Sequence, residues 1–204
     1  MHISEGVLSL PVIAGGWVIG TLGVAVGLRK TAVEQLSKTA LVSATLFLAS
    51  LVHVPVGPSS IHLTLLGLSG WLLGWPALPA LFVALLLQGI LFQFGGLLSL
   101  GANMAIMGVA TLSGYVARLL FGVFSGILRS RATLAVSAFL AGFAAVIAGS
   151  VLVVAALVLS ANELQATAAL IMAANVPLAF VEGGITLSII LFLAKVKPDV
   201  LESP

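Results

Sequence analysis

The sequence predicts an all-α integral membrane protein: a bundle of about seven transmembrane helices forming a single domain, 1–204. Three observations carry this expectation. Of 204 residues, 61% are hydrophobic and only 7% charged, whereas soluble domains carry about 25% charged residues. A water-soluble globule is therefore excluded. The apolar runs are long and divided by short polar breaks, which suits helices rather than the alternating strands of a barrel. The basic residues are confined to a few of those breaks.

Apolar length and glycine, proline and charge punctuation place the spans. The first covers 7–28 and stops at Arg29-Lys30. A secretory signal would have its basic residues ahead of the apolar stretch, and here they follow it. This segment is expected to be a retained span. The second span, 39–54, ends at Pro55-Val56-Gly57-Pro58, and Ser59 reads as the N-cap of a third, 59–75. Trp75-Pro76 turns into a fourth, 77–95, and a glycine-rich link from Gly95 to Asn103 leads to the fifth, 104–126. The sixth is 133–160, and the seventh, 168–194, ends at Lys195 and Lys197. Ala141, Ala145 and Gly149 recur at four-residue spacing in span six, which allows close helix packing inside the bundle.

With seven spans and an outside N-terminus, the inner segments are 29–38, 75–77, 127–132 and 195–204. Seven of the eight basic residues fall there, and Arg118 stands within snorkelling reach of the inner end of span five. This bias predicts an outside N-terminus and a cytoplasmic C-terminus. There is no cysteine, hence no disulfide framework or thiolate metal site. The chain contains no phosphate-binding P-loop, so ATP hydrolysis must come from another polypeptide. No nucleophile–base pair stands at helical spacing, so an enzyme is not expected. The lipid bilayer is the expected surrounding, and nucleic acid is not an expected partner.

The polar residues concentrate interest at the outer side. A chain beginning Met1-His2 offers one metal ion the α-amine of Met1 and the amide and imidazole of His2. The two chelate rings lie in one plane and leave one in-plane position, a tetragonal nitrogen set that suits Ni(II) or Cu(II). A bulky second residue disfavours removal of the initiator methionine, so Met1 is expected to persist. The topology brings His53 and His62 to the same side. His62 is the preferred fourth ligand, because His53 precedes a proline break and packs or hydrogen-bonds there more readily. Ser4, Glu5 and Asn103 are candidates for holding His2 in orientation; Glu5 reads equally well as a first-turn carboxylate of span one. The alternative is a membrane scaffold in which these histidines only cap and pack.

Glu182 is the one acid inside a span, and a buried intramembrane carboxylate is a functional candidate by default. Hydrogen bonding to Gln88, Gln93 or Asn175 would make it structural. A role in ion relay would make the protein an ion-coupled secondary transporter instead.

Met1-His2-Ile3-Ser4-Glu5-Gly6, Gly57-Pro58-Ser59-Ser60-Ile61-His62-Leu63, Gly95-Gly96-Leu97 with Gly101-Ala102-Asn103 and Met107-Gly108, and Pro177-Leu178 with Glu182-Gly183 follow one another in this order. Together they resemble the substrate-binding membrane subunit of nickel and cobalt energy-coupling-factor transporters, the cobalamin-biosynthesis permease family. The resemblance spans nearly the whole chain. It implies seven helices with the N-terminus folded into the outer face of the bundle. It implies a metal held by the terminal amine, the amide and imidazole of His2, and His62. Ni²⁺ or Co²⁺ would be the transported substrate, with no cofactor. The implied partners are a transmembrane coupling subunit, two cytoplasmic ATPases and a small accessory membrane subunit, in a prokaryotic cytoplasmic membrane.

Overall fold

The computed structural model describes residues 3–56, 59–125, 130–160 and 165–202. Its elements in order are α1 (Leu10–Lys30), a 3₁₀ turn (Val33–Gln35), α2 (Leu36–Ala49), β1 (His53–Val56), β2 (Ser59–His62), α3 (Leu66–Leu73), α4 (Ala77–Phe92), α5 (Leu100–Ser125), α6 (Arg131–Ser160), α7 (Gln165–Val196) and α8 (Asp199–Glu202). Among the described residues, α1, α6, residues 100–122 of α5 and residues 170–196 of α7 are long and apolar enough to cross a membrane; α4 is a shorter apolar helix. Their outward faces carry large exposed apolar side chains, such as Leu22 on α1, Leu120 on α5 and Phe192 on α7. That is stable in lipid and would not be in water.

The third passage departs from the expected helix over 59–75. Residues 59–62 form a strand instead, paired antiparallel with β1 so that His53 stands opposite His62 and Val56 opposite Ser59. Proline at 55 and 58 and the β-branched residues around them favour extended backbone over helix. Ser59 is therefore no N-cap, and the helix begins only at Leu66. Ahead of it, Leu65 sits in the left-handed region at φ 52°, a conformation that a leucine adopts only where its surroundings enforce it.

All eight residues of α3 are buried. The helix lies inside the bundle, packed chiefly on α5 and α6. Trp71, Leu66 and Leu73 are among the most completely enclosed side chains of the core. Such closeness requires glycine. A Cβ on Gly67 would overlap the carbonyl of Ala141, and one on Gly70 would overlap the carbonyl of Thr111. Ala141 and Ala145 of α6 are correspondingly buried inside the molecule, where their small size lets α3 approach.

At the far end of α3, Arg118 is buried rather than snorkelling to water. Its guanidinium donates to the carbonyls of Trp71 (2.9 Å) and Leu201 (2.8 Å) and lies 4.8 Å from the Trp71 ring centroid. Lys38, ahead of the apolar part of α2, donates to the Val200 carbonyl at 2.8 Å. Burial and then the neighbouring Arg118 charge push its ammonium down to about 8. Two cations thus hold the carbonyl end of α8, which favours positive charge.

Gly70→Ala is expected to lower the thermal unfolding midpoint of the detergent-solubilised protein, with about 1–3 kcal/mol of destabilisation from overpacking. Gly122→Ala on α5, where a Cβ meets nothing within 4 Å, is expected to leave the midpoint unchanged or raise it slightly.

Candidate metal-capture site

Two anchors shape the region where the sequence placed its candidates. The first is Asn103, in the opening turn of α5 and 2% exposed. Its side-chain oxygen accepts from the Ile3 amide at 2.9 Å, and its side-chain nitrogen donates to the Ile3 carbonyl at 3.1 Å. One amide side chain therefore satisfies both backbone groups of a buried residue, as a neighbouring strand would. The second residue of the chain is covalently attached to this clamped one. Met1 and His2 themselves lie outside the described residues.

Glu5 acts on the loop between α4 and α5. Its Oε1 accepts from the Leu98 amide at 2.8 Å, and a Cβ on Gly96 would collide with its carboxylate. Gly95 and Gly96 adopt φ of 77° and 76°, which glycine allows at little cost. The Trp17 indole donates to the Leu98 carbonyl at 3.0 Å, a second tie between this loop and the N-terminal part of the chain. The reading of Glu5 as a first-turn carboxylate is corrected: α1 starts at Leu10 and its first turn holds no acid.

The second anchor is Glu182, 1% exposed in the interior of α7. Its carboxylate accepts from the Thr64 amide, from Thr64 Oγ1 at 2.8 Å, and from the Leu65 amide at 3.1 Å to each oxygen. These groups lie at the start of α3, where unpaired amides and the helix dipole favour an anion. Glu182 thus caps from another helix the turn that Ser59 was expected to cap locally. Its partners are the backbone and hydroxyl of 64–65, not Gln88, Gln93 or Asn175. Gln93 is exposed and Asn175 half-buried, while Gln88 is buried on α4.

His62, two residues upstream of this cap, ends the strand paired with β1. The imidazole is 6% exposed, and its Nδ1 stands 3.5 Å from the Leu63 carbonyl, too long for a well-formed bond. His62 borders a small cavity together with Ser50, Thr64, Gln88 and Met107. Met107 and Asn103 stand four residues apart on α5, hence on one face and about 6 Å apart along the axis. The clamped residue 3 and His62 are therefore served by neighbouring turns of the same helix. Among the described residues no three His, Asp or Glu side chains gather in one place, so a site here needs donors beyond those side chains. The cap at Thr64 and Leu65 was missed by sequence reasoning; the isolated carboxylate of Glu182 was its one visible sign.

The long apolar helices define a multi-pass membrane protein. Residues 2–200 match the family described as cobalt uptake substrate-specific transmembrane region, and the chain belongs to that family. A relative from Haemophilus influenzae is 48% identical over 119 residues, a stretch that is 58% of each chain. The cobalt transport protein CbiM of Geobacter sulfurreducens is 32% identical over 98% of this chain and 61% of its own length. The fused nickel transport protein NikMN of Rhodobacter capsulatus is 37% identical over 53% of this chain and 34% of its own. A crystal structure of a transition metal transporter superposes with a TM-score of 0.74 at 26% identity, covering 96% of this chain and 93% of that one.

Glu182→Gln is expected to destabilise the protein by about 1–3 kcal/mol, since an amide NH₂ would face backbone N–H groups that need an acceptor. Thr64→Val, which removes only the hydroxyl's bond, is expected to cost less. Thermal unfolding of both variants in detergent checks the order.

Proposed function

We propose that this protein captures Ni²⁺ or Co²⁺ at the outer face of a prokaryotic cytoplasmic membrane, as the substrate-binding subunit of an energy-coupling-factor transporter. The α-amine of Met1, the amide and imidazole of His2, and the imidazole of His62 form a planar four-nitrogen set. The observation that carries this reading is the clamp of Asn103 on Ile3. It holds the residue next to His2 beside the helix face that also borders His62, and consecutive Cα atoms are only about 3.8 Å apart. A tetragonal nitrogen set of this kind suits a late first-row ion. Glu5 supports it by holding the glycine-rich loop against the N-terminal segment.

In this reading the termini lie on opposite sides of the bilayer. Supporting it, Ile3 is held at the opening of α5, whereas Leu201 is held by Arg118, about 22 Å further along that helix. Seven passages result when the short buried α3 with its preceding strand counts as the third. A transmembrane coupling subunit, two cytoplasmic ATPases and a small accessory membrane subunit complete the transporter. The existence of fused relatives such as the nickel protein NikMN favours such partners. Glu182 has a structural role, since its carboxylate is engaged by 64–65; a secondary transporter driven through it would need that group free to exchange protons.

Purified protein with its native N-terminus is expected to hold about one nickel or cobalt ion per chain, and the same protein with one added N-terminal residue to hold none. Elemental analysis of both forms decides this. Ligation by the α-amine, whose ordinary pKa is about 7.7–8.0, releases a proton, so affinity is expected to fall as pH drops through and below that range. Metal retained in the extended form would remove the terminal chelate from the account.

A further inference from the structure

Ser4 and Glu5, which follow the clamped Ile3, line a cleft of about 490 Å³ together with Ile90, Gln93, Gly96 and Leu97. Ser4, Glu5, Ile90, Gln93 and Leu97 are all exposed, so the cleft opens at the end of the molecule where α4 stops and α5 begins. Gln93 ends α4 at φ 57°, and Gly95 and Gly96 continue at 77° and 76°; this turn brings the loop back against Glu5. The carboxylate is held in the wall. Its Oε1 accepts from the Leu98 amide at 2.8 Å, and a Cβ on Gly96 would collide with it. Its Oε2 makes no hydrogen bond among the described residues. Glu5 is also the only Asp, Glu, Lys or Arg in residues 1–28 and 39–117, so no cation of those segments neutralises it.

We propose that this cleft is a docking site for the hydrated divalent ion, and that the charge of Glu5 gathers the ion there before nitrogen donors replace its waters. The proposal rests on the terminal chelate of the proposed function as the ion's destination. A carboxylate, a hydroxyl and a side-chain amide are oxygen-bearing groups, which suit an ion still carrying its water shell rather than a dehydrated late first-row ion. With metal–oxygen distances of about 2.1 Å, a hexaaqua ion is about 7 Å across, and the cleft has room for it whole. A single sign of charge beside apolar walls, here Ile90 and Leu97, focuses the field and raises the local concentration of counter-ion. The cleft begins at Ser4, one residue past the Asn103 clamp, so an ion docked here waits beside the segment that carries the chelate. Glu5 therefore does two separable things. An acceptor oxygen ties the loop, and the charge, shared by both oxygens, attracts the ion.

Glu5→Gln parts them, since its amide oxygen can still accept from the Leu98 amide while the charge is gone. The first experiment follows nickel association by stopped flow, on the full chain with its native N-terminus in an uncharged detergent. A pH of about 8.5 keeps the α-amine mostly neutral. At low ionic strength Glu5→Gln is expected to associate about tenfold more slowly than the unmodified protein. The difference is expected to vanish in about 1 M salt, where screening acts within about 3 Å. An unchanged association rate would overturn the proposal, and so would a slowing that salt does not remove, which would mark the loop tie alone. The second experiment uses hexaamminecobalt(III), whose ligands do not exchange, so that it can dock like a hydrated ion and cannot enter the chelate. It is titrated into the protein carrying one added N-terminal residue. Binding that is lost in Glu5→Gln supports the docking site, and no binding, or binding unaffected by that substitution, refutes it. Failure of the native protein to hold nickel would reject the terminal chelate, and the hexaamminecobalt titration would still decide the cleft.

Discussion

The structure depends on one buried carboxylate. Glu182 projects from α7 onto the start of α3 and accepts from two amides and one hydroxyl of Thr64 and Leu65. A buried carboxyl group is tolerable only when its oxygens find hydrogen-bond donors, and both of these do. In return it holds Leu65 in a left-handed conformation and begins a helix that is buried on every side. Without an acceptor at that place, α3 would start with unpaired amides inside an apolar bundle.

The same logic operates at both ends of α5. At its opening, Asn103 completes the backbone hydrogen bonds of Ile3 and draws the N-terminal segment into the bundle. Towards its other end, Arg118 completes the carbonyls of Trp71 and Leu201. Both side chains are buried and both satisfy backbone groups. The N-terminal segment, the interior helix and the C-terminal turn are therefore all fastened to one long helix.

Much of this could be read from the residues. Long apolar runs and their breaks located α1, α4, α5, α6 and α7 within a few residues, since each is decided by local composition. The 59–75 segment could not be read locally. Proline followed by serine resembles a helix start, and the hairpin that replaces it depends on pairing with 53–56. The true cap comes from a residue more than a hundred positions away. Glu182 was conspicuous as an isolated acid, yet its partners are two backbone amides and one hydroxyl brought from far along the chain, which no local pattern reveals. Asn103 was visible because it opens span five at the level of the histidines, and its clamp on Ile3 is equally long-range. Arg118 was read as a snorkelling cation because sequence cannot show carbonyls brought to it by α3 and α8. Met1 and His2 lie outside the described residues, so the proposal that Met1, His2 and His62 bind the metal rests on chemistry together with the placement of Ile3.

The central claim is that a planar set of nitrogens, closed by His62, holds the metal. X-ray absorption spectroscopy of the nickel-loaded protein tests it most directly, beside the same measurement on His62→Ala. The account predicts a four-coordinate planar nickel with nitrogen donors only, and loss of one imidazole's scattering or of the metal itself in the variant. A six-coordinate, oxygen-rich nickel, or a spectrum unchanged in His62→Ala, would contradict it.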